Sequence, residues 1–416
     1  MSASNAGSLA ILKRRYPGGE VPRANYQNFP AVALSEKYED FDGDDYVLPI
    51  ITENPQGVGT SVQKAQEALA QSTFNRFLLT RTEYFGVARI KGQALKTATK
   101  RGGGALVDLW VNEMDGITQT VLKMLEIFFF GTGNAVLGTI ASGNSTITIT
   151  LTVAEDIANF DLGGRYGGVT DTTLSPTIRS GSAVATGIDR SAGTLTAAAA
   201  WNSTITSLAN GDSLVRAGTS GTDAAVSGTA SVPLGMRQWL IGGTTPGTIY
   251  SLNRNSDPVR LASQAFDMTG LSQELSIIDL ESLISFQGKT TKRVLMVNPR
   301  DLRQLKKSLG GKVAYPRATL NSTVAGISFS VLQFEGDGGT ISIVTSPFCP
   351  KGNVFMLDMS TIGIYSSGGF PMLLDFDKAE FLRVATDDSY EVRVGGYGAV
   401  GVNAPSASAR GTNWGN

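Results

Sequence analysis

Histidine is absent from the 416-residue sequence, and with it go the Ser-His-Asp triad, the histidine general base, the histidine metal ligand and the histidine pH switch. Most hydrolase mechanisms fall with that one absence. A single cysteine, Cys349, excludes an internal disulfide framework and every multi-cysteine zinc site, and points to a reducing compartment. Charge is scarce: Asp, Glu, Lys and Arg make up 17%, and 35 Lys+Arg against 36 Asp+Glu leave a net charge of -1, far from the basic excess of a dedicated nucleic-acid binder. Contact with DNA is therefore expected to be local or weak. Long apolar runs are missing too, since the patch Ile127 to Phe130 is far short of the about 20 residues a spanning helix needs. No membrane partner is expected. The apolar run Leu9 to Leu12 precedes Lys13-Arg14-Arg15, the wrong order for a signal peptide, so the sequons at Asn144, Asn202 and Asn321 are read as chance.

What is present is enough apolar material, 41% of the chain, for real cores in roughly two or three packed units. From Met1 to Gly57 the prolines at 17, 22, 30, 49 and 55 recur too often for a helix, so this stretch reads as an extended arm. Thr60-Ser61 can cap a short helix from Val62 to about Ala70 that docks on another surface. Asn75 to Thr99 mixes β-prone residues with Arg76, Arg81, Arg89, Lys91 and Lys96 and reads as a long basic hairpin. After Gly102-Gly103-Gly104, apolar residues at 106, 110, 114, 117, 121, 125 and 128 carry helical spacing over about 23 residues, or roughly 35 Å. Asp108, Asn112, Asp115, Gln119, Lys123 and Glu126 are expected on its solvated face.

From Ala135 to about Pro233, Thr, Ser, Gly and Ala dominate, and no lysine occurs between Lys123 and Lys289. Thr146 to Thr152 alternates with period two, and Gly193 to Thr196 and Ser203 to Thr206 repeat the theme, which predicts a small antiparallel β module. Leu271 to Phe286 is helical in pattern, with Leu275, Ile278 and Leu283 inward; Arg293 to Val297 is a strand, and Pro299 to Leu309 a second helix with proline at its start. The last third alternates strands with Gly, Pro and Asp turns, at Ile327 to Gln333, Thr340 to Thr345, Val354 to Leu357, Ile362 to Tyr365, Phe381 to Ala385 and Tyr390 to Val394. Asn403 to Asn416 reads as a mobile, small-residue tail.

The motifs of site chemistry fail on inspection. Gly288-Lys289-Thr290 imitates the end of a phosphate-binding loop, but Leu283 stands where the first glycine belongs. Asp40-x-Asp42-x-Asp44 imitates a calcium loop, but Asp45 and Ile51 replace the required Gly and Glu; a solvated acidic turn is the better reading. Neither Gly102 to Gly104 nor Gly131-x-Gly133 makes a dinucleotide fingerprint. Cys349 lacks a histidine to complete a thiol catalyst and is read as a buried small side chain, and no spacing points to a Ser/Lys nucleophile. The four tryptophans are read as core. No catalytic residue, cofactor or metal is expected, and the remaining parts suit a building block.

The order of those parts resembles the major capsid (coat) proteins of tailed double-stranded DNA bacteriophages, with the Hong Kong 97-type fold. The passages that carry it are Phe85 to Leu95, the helix ending Leu125-Glu-Ile-Phe-Phe-Phe-Gly-Thr-Gly133, Leu234 to Leu240, Tyr250 to Asp257, Val297-Asn-Pro-Arg-Asp-Leu302, Ser346-Pro-Phe-Cys-Pro350, and Asp388 to Arg393 before Tyr397-Gly. The resemblance implies an α+β chain divided into an N-terminal arm with a short helix at 1–70, an extended β-hairpin loop at 71–101, a spine helix of the peripheral domain at 102–133 and a β-rich insertion at 134–233. An axial domain at 234–347, strands returning to the axial and peripheral domains at 348–402, and the tail at 403–416 complete it. It implies self-assembly of identical subunits into hexamers and pentamers of an icosahedral virion shell around double-stranded DNA held without sequence readout, put together in the host bacterial cytoplasm. Portal, scaffolding and cement proteins are the further partners it suggests. A same-fold nanocompartment shell and a tail or sheath protein are the alternatives. Candidate inter-subunit contacts are Arg81, Glu83, Arg89, Lys91, Lys96 and Lys100 of the loop, and Asp42 and Asp44 of the acidic turn; no Asn with an activating Glu marks a covalent cross-link, so a non-covalent shell is expected.

Overall fold

The computed structural model describes residues 28–93, 109–219, 221–225, 228–285, 293–309, 317–321, 328–336, 339–375 and 382–415. Lys96, Lys100 and most of the arm before Pro30 lie outside them.

The part expected to be peripheral, here the peripheral part, is a long helix laid on a sheet. The strand Thr82–Lys91 pairs antiparallel with Ser389–Val402 over its whole length, Thr82 opposite Gly398 and Lys91 opposite Ser389. Ile362–Ser366 continues the sheet on the far side of Ser389–Val402, and Glu36–Tyr38 pairs parallel with Ile362–Ser366. Alternation sends Gly86, Ala88 and Ile90 inward and Glu83, Phe85, Val87 and Arg89 outward. The helix Leu109–Phe130 lies on the inward face. Gly86 sets how close it comes: a Cβ there would sit 2.7 Å from side-chain carbons of both Ile117 and Val121.

The solvated face expected for this helix is not solvated over its second half. Glu126 is fully buried and accepts the Ala31 and Val32 N–H groups at 3.2 and 3.0 Å, because the arm's short helix Pro30–Leu34 lies across it. Its carboxylate satisfies first-turn amides that have no partner inside that helix. Lys123 is drawn inward as well, 2.6 Å from Asp161.

The Thr/Ser/Gly-rich stretch forms a closed six-stranded antiparallel barrel. Its cyclic order is Ser213–Arg216, Val136–Ser142, Thr148–Leu151, Thr194–Ala197, Ala183–Asp189, Arg165–Val169 and back to the first. Ile149, Tyr166, Leu195, Ile205 and Leu214 are buried. Ser203 to Thr206, read as a strand, is not one: Ser203 and Thr204 end the single helical turn Trp201–Thr204, Ile205 makes one isolated bridge to Gly181, and buried Trp201 donates its indole N–H to the Ile147 carbonyl at 3.1 Å.

The axial part is a seven-stranded mixed sheet ordered Gln264–Asp267, Ala409–Thr412, Val354–Asp358, Arg293–Val297, Gly339–Thr345, Ser328–Gly336, Arg317–Asn321. Helices Gln273–Ser285 and Pro299–Leu309 pack on one face through Ile277, Leu280, Ile284 and Leu305. Leu275 and Ile278, expected inward, are 55% and 47% exposed; the helix carries apolar residues on two flanks, and spacing alone chose the wrong one. The tail is not mobile. Ala409–Thr412 is the second strand of this sheet, and buried Trp414 donates to the Gln273 carbonyl at 3.3 Å. Its small residues are there for space: a Cβ on Gly411 would come within 2.2 Å of Met268. Trp239 joins the axial and peripheral parts, donating to the Val400 carbonyl at 3.0 Å with Phe77 edge-on at 5.1 Å.

Candidate inter-subunit surface

The extended loop is built from different strands than the sequence suggested. Thr73–Thr80 does not pair with Thr82–Lys91, which belongs to the peripheral sheet. It pairs with Asp45–Glu53, from Asp45 opposite Thr80 to Glu53 opposite Thr73, as an isolated two-stranded ribbon. The ribbon therefore spans residues 45–80, and the hairpin expected at 71–101 is corrected over its described residues, 71–93. Pro49, taken as evidence for an arm, is tolerated because a two-stranded ribbon has free edges where a missing N–H breaks no ladder.

Alternation gives the ribbon two unlike faces. Leu48, Phe77 and Leu79 turn inward and are buried in the core around Trp239 and Phe41. On the other face Ile51 stands directly opposite Phe74, at 59% and 69% exposed, with Val47 opposite Leu78 and Arg76 between the two pairs. At the tip, Ser61 caps the helix Val62–Glu67 by accepting the Lys64 N–H, as expected. Among the described residues the helix does not dock on its own chain. It buries no residue, and Val58, Val62 and Leu69 are 82%, 76% and 71% exposed. Two strands alone are marginal in water, and an exposed apolar face makes this ribbon a candidate interaction surface.

A second open surface is the outward face of the peripheral sheet. Phe85 and Val87 are exposed there, Phe85 packing edge-on against Tyr397 at 5.5 Å. Around them lie the predicted contact residues. Arg89 meets Glu391 at 3.1 Å, and the Arg393 guanidinium, ahead of Arg89, holds the Glu391 carboxyl below its ordinary range. Arg81 reaches Asp44 at 3.6 Å and lies over the Tyr397 ring at 5.6 Å. Glu83 is exposed beside Tyr397, its cross-strand partner, and Lys91 is half-buried at the strand's end. Asp42 and Asp44 are exposed on the acidic turn before the ribbon. The structure thus gathers Glu83, Arg89 and Lys91 on one strand, with Arg81 immediately before it and Asp44 close to Arg81, but Arg81 and Arg89 already hold carboxylates of their own chain.

Sequence reasoning missed the exposed apolar residues of the ribbon: Val47, Ile51, Val58 and Phe74. The signal was there in the alternation of Asp45 to Glu53, masked by Pro49. Elsewhere, among the described residues, no group of three or more metal-ligating side chains is assembled. Cys349 is buried, and burial pushes its thiol well above its usual value.

Residues 214–414 match the family described as SU10 major capsid protein. No curated protein matches the chain. Among solved structures, the capsid of the native GTA particle is similar, with a TM-score of 0.51 at 7% identity over 99% of both chains. The cyanophage A-1(L) capsid gives 0.47 at 10% identity over 96% of both, and the SrpI encapsulin complex from Synechococcus elongatus gives 0.47 at 8% identity over 99% of this chain and 96% of that one.

Proposed function

We propose that this chain, a major capsid protein of the tailed-phage type with the Hong Kong 97-type fold, assembles into the hexamers and pentamers of an icosahedral shell by laying its 45–80 ribbon over an adjacent copy. The observation that carries this reading is the Ile51/Phe74 face together with the unburied tip helix, apolar surface left exposed by the described residues. The outward Phe85/Val87 face of the neighbour's peripheral sheet is the landing surface of matching character. Together with the arm, such contacts make an interface of the obligate class, above about 2,000 Å². Ion pairs at the rim, from Glu83, Lys91 and Asp42, add roughly 0–1 kcal/mol each when exposed.

The net charge of -1 suits many copies packed edge to edge, which would repel one another if each were highly charged. The enclosed double-stranded DNA is then held by confinement and counterions. Assembly in the host bacterial cytoplasm, with portal, scaffolding and cement proteins as further partners, completes the reading.

Electron microscopy of the native or recombinant material tests it. Closed icosahedral shells containing DNA are expected. Tubes indicate a tail or sheath protein, shells filled with enzyme a nanocompartment, and a small soluble oligomer at high concentration overturns the reading.

A further inference from the structure

Between the spine helix and the barrel lies a cavity of about 500 Å³ lined by three cations, Lys123, Arg190 and Arg216, and one carboxylate, Asp161. The helix contributes Lys123 and Gln119, the barrel contributes the others, and Phe348 closes one side. Asp161 is divided between two cations: one oxygen lies 2.6 Å from Lys123 Nζ and the other 2.5 Å from Arg216 Nη2. Arg190 has an exposed side chain at the rim. Asp223 is the further carboxylate within electrostatic reach of Arg216, but it does not line the cavity, and burial lifts its pKa.

One carboxylate against three cations leaves this cavity positive in a chain that is otherwise balanced and in a barrel that holds no lysine. Lys123 carries the cost. Burial pushes its ammonium pKa down, and the attraction of Asp161 does not restore it. Its ammonium lies 5.7 Å from the Phe348 ring, a weak second partner. The Arg216 Nε and the Gln119 Oε1 have no hydrogen-bond partner among the described residues. The Gln119 amide carries two N–H donors beside its oxygen, and the Arg216 Nε–H is a donor, so both side chains are able to donate.

We propose that this cavity is a binding site for a phosphate-type oxyanion, held by Lys123, Arg190 and Arg216 with Asp161 keeping Lys123 and Arg216 apart and oriented. A multiply charged anion supplies the counter-charge that Asp161 provides only in part. Charge-assisted bonds from guanidinium forks are the strongest kind for such a ligand. The site joins the helix that carries the peripheral sheet to the barrel, so its occupant ties the two together. A free ion and the phosphate of a nucleic-acid chain share this chemistry.

The test is thermal unfolding of the purified full-length chain with inorganic phosphate against chloride at matched ionic strength, alongside a duplex oligonucleotide at matched phosphate concentration. A ligand that binds the folded state stabilises it in proportion to occupancy. Saturable stabilisation by phosphate, weakened about tenfold or more in apparent affinity by Arg190→Ala, is the expected result. Arg260→Ala, which removes an exposed cation paired with Asp257 away from the cavity, should leave it unchanged. A response to the oligonucleotide that also depends on Arg190 identifies backbone phosphate as a source; a response to inorganic phosphate alone identifies the free ion. No phosphate-specific stabilisation by either probe, or an equal loss in Arg190→Ala and Arg260→Ala, overturns the proposal.

Discussion

The barrel and the 45–80 ribbon are both antiparallel β structure, yet they treat sheet edges and apolar faces in opposite ways. In the barrel each of six strands has a neighbour on both sides and the interior is filled by side chains such as Trp201, Leu195 and Leu214, so closure removes every edge. In the ribbon two strands leave two edges open, and Ile51 and Phe74 face water. The contrast runs against composition. The barrel, rich in Thr, Ser and Gly, is self-contained, whereas the ribbon, rich in Val, Leu, Ile and Phe, is not. In a shell protein the first arrangement stabilises the subunit and the second reserves surface for its neighbours.

The sharpest way to break that comparison is Trp201→Ala. It empties the barrel's interior and leaves the Ile147 carbonyl without its indole donor, so a loss of about 3–5 kcal/mol is expected in denaturant unfolding of the unassembled chain. A loss under about 1 kcal/mol would mean that the barrel is not the self-sufficient partner in the contrast. Next in size is Glu126, where the arm meets the spine helix. Burial raises its pKa from 4.5 to about 7, against the Val32 and Ala31 N–H bonds that favour the charged form. Its folded pKa exceeds the unfolded one, so the stability it contributes is complete below about 4.5 and is lost as pH rises through about 7, an effect on the order of 3 kcal/mol. Asp156, also lifted to about 7 by burial, acts in the same direction. Unfolding midpoints measured at about pH 5 and about pH 8 should therefore fall with pH, and Glu126→Gln should flatten part of the slope. An unchanged slope in that variant would remove Glu126 from the account. Gly86→Val comes third: its side chain meets Ile117 and Val121 and pushes the helix from the sheet, at about 1–3 kcal/mol. Near-normal stability there would show that the helix–sheet seam yields, unlike the barrel.

Local signals carried much of this fold in the sequence. The helix Pro299–Leu309 and the strand Arg293–Val297 fall where spacing and the leading proline put them, because each is bounded by its own residues. The pairing of Thr73–Thr80 was not legible. Its partner Asp45–Glu53 lies across the tip helix and contains Pro49, and nothing local distinguishes that pairing from one with the adjacent Thr82–Lys91. The same limit explains Glu126 and Ala409–Thr412. A glutamate at a helical position reads as solvated until an arm crosses it, and small residues read as loose until a helix lies over them. Of the candidate contact surface, the charged residues were legible as surface because charge marks a surface, not as contacts with a neighbour. The apolar ones were missed because periodicity assigns apolar residues to a core without saying whose.

The smallest expected effect on the subunit is the most informative. Ile51→Ser with Phe74→Ser removes one exposed cross-strand pair, whose contribution within the chain is about 0.2–1 kcal/mol, so unfolding of the unassembled chain should shift by less than about 1 kcal/mol. In the proposed shell the same pair is repeated at every ribbon and buried, where truncation of an interface anchor costs more than about 2 kcal/mol per copy. The variant should therefore fold like the parent and fail to form shells, with sedimentation showing unassembled subunits and circular dichroism unchanged. Suppose instead that it unfolded as readily as Trp201→Ala. The ribbon would then belong to the subunit's own core, and the division between the closed barrel and the open ribbon would not describe this protein.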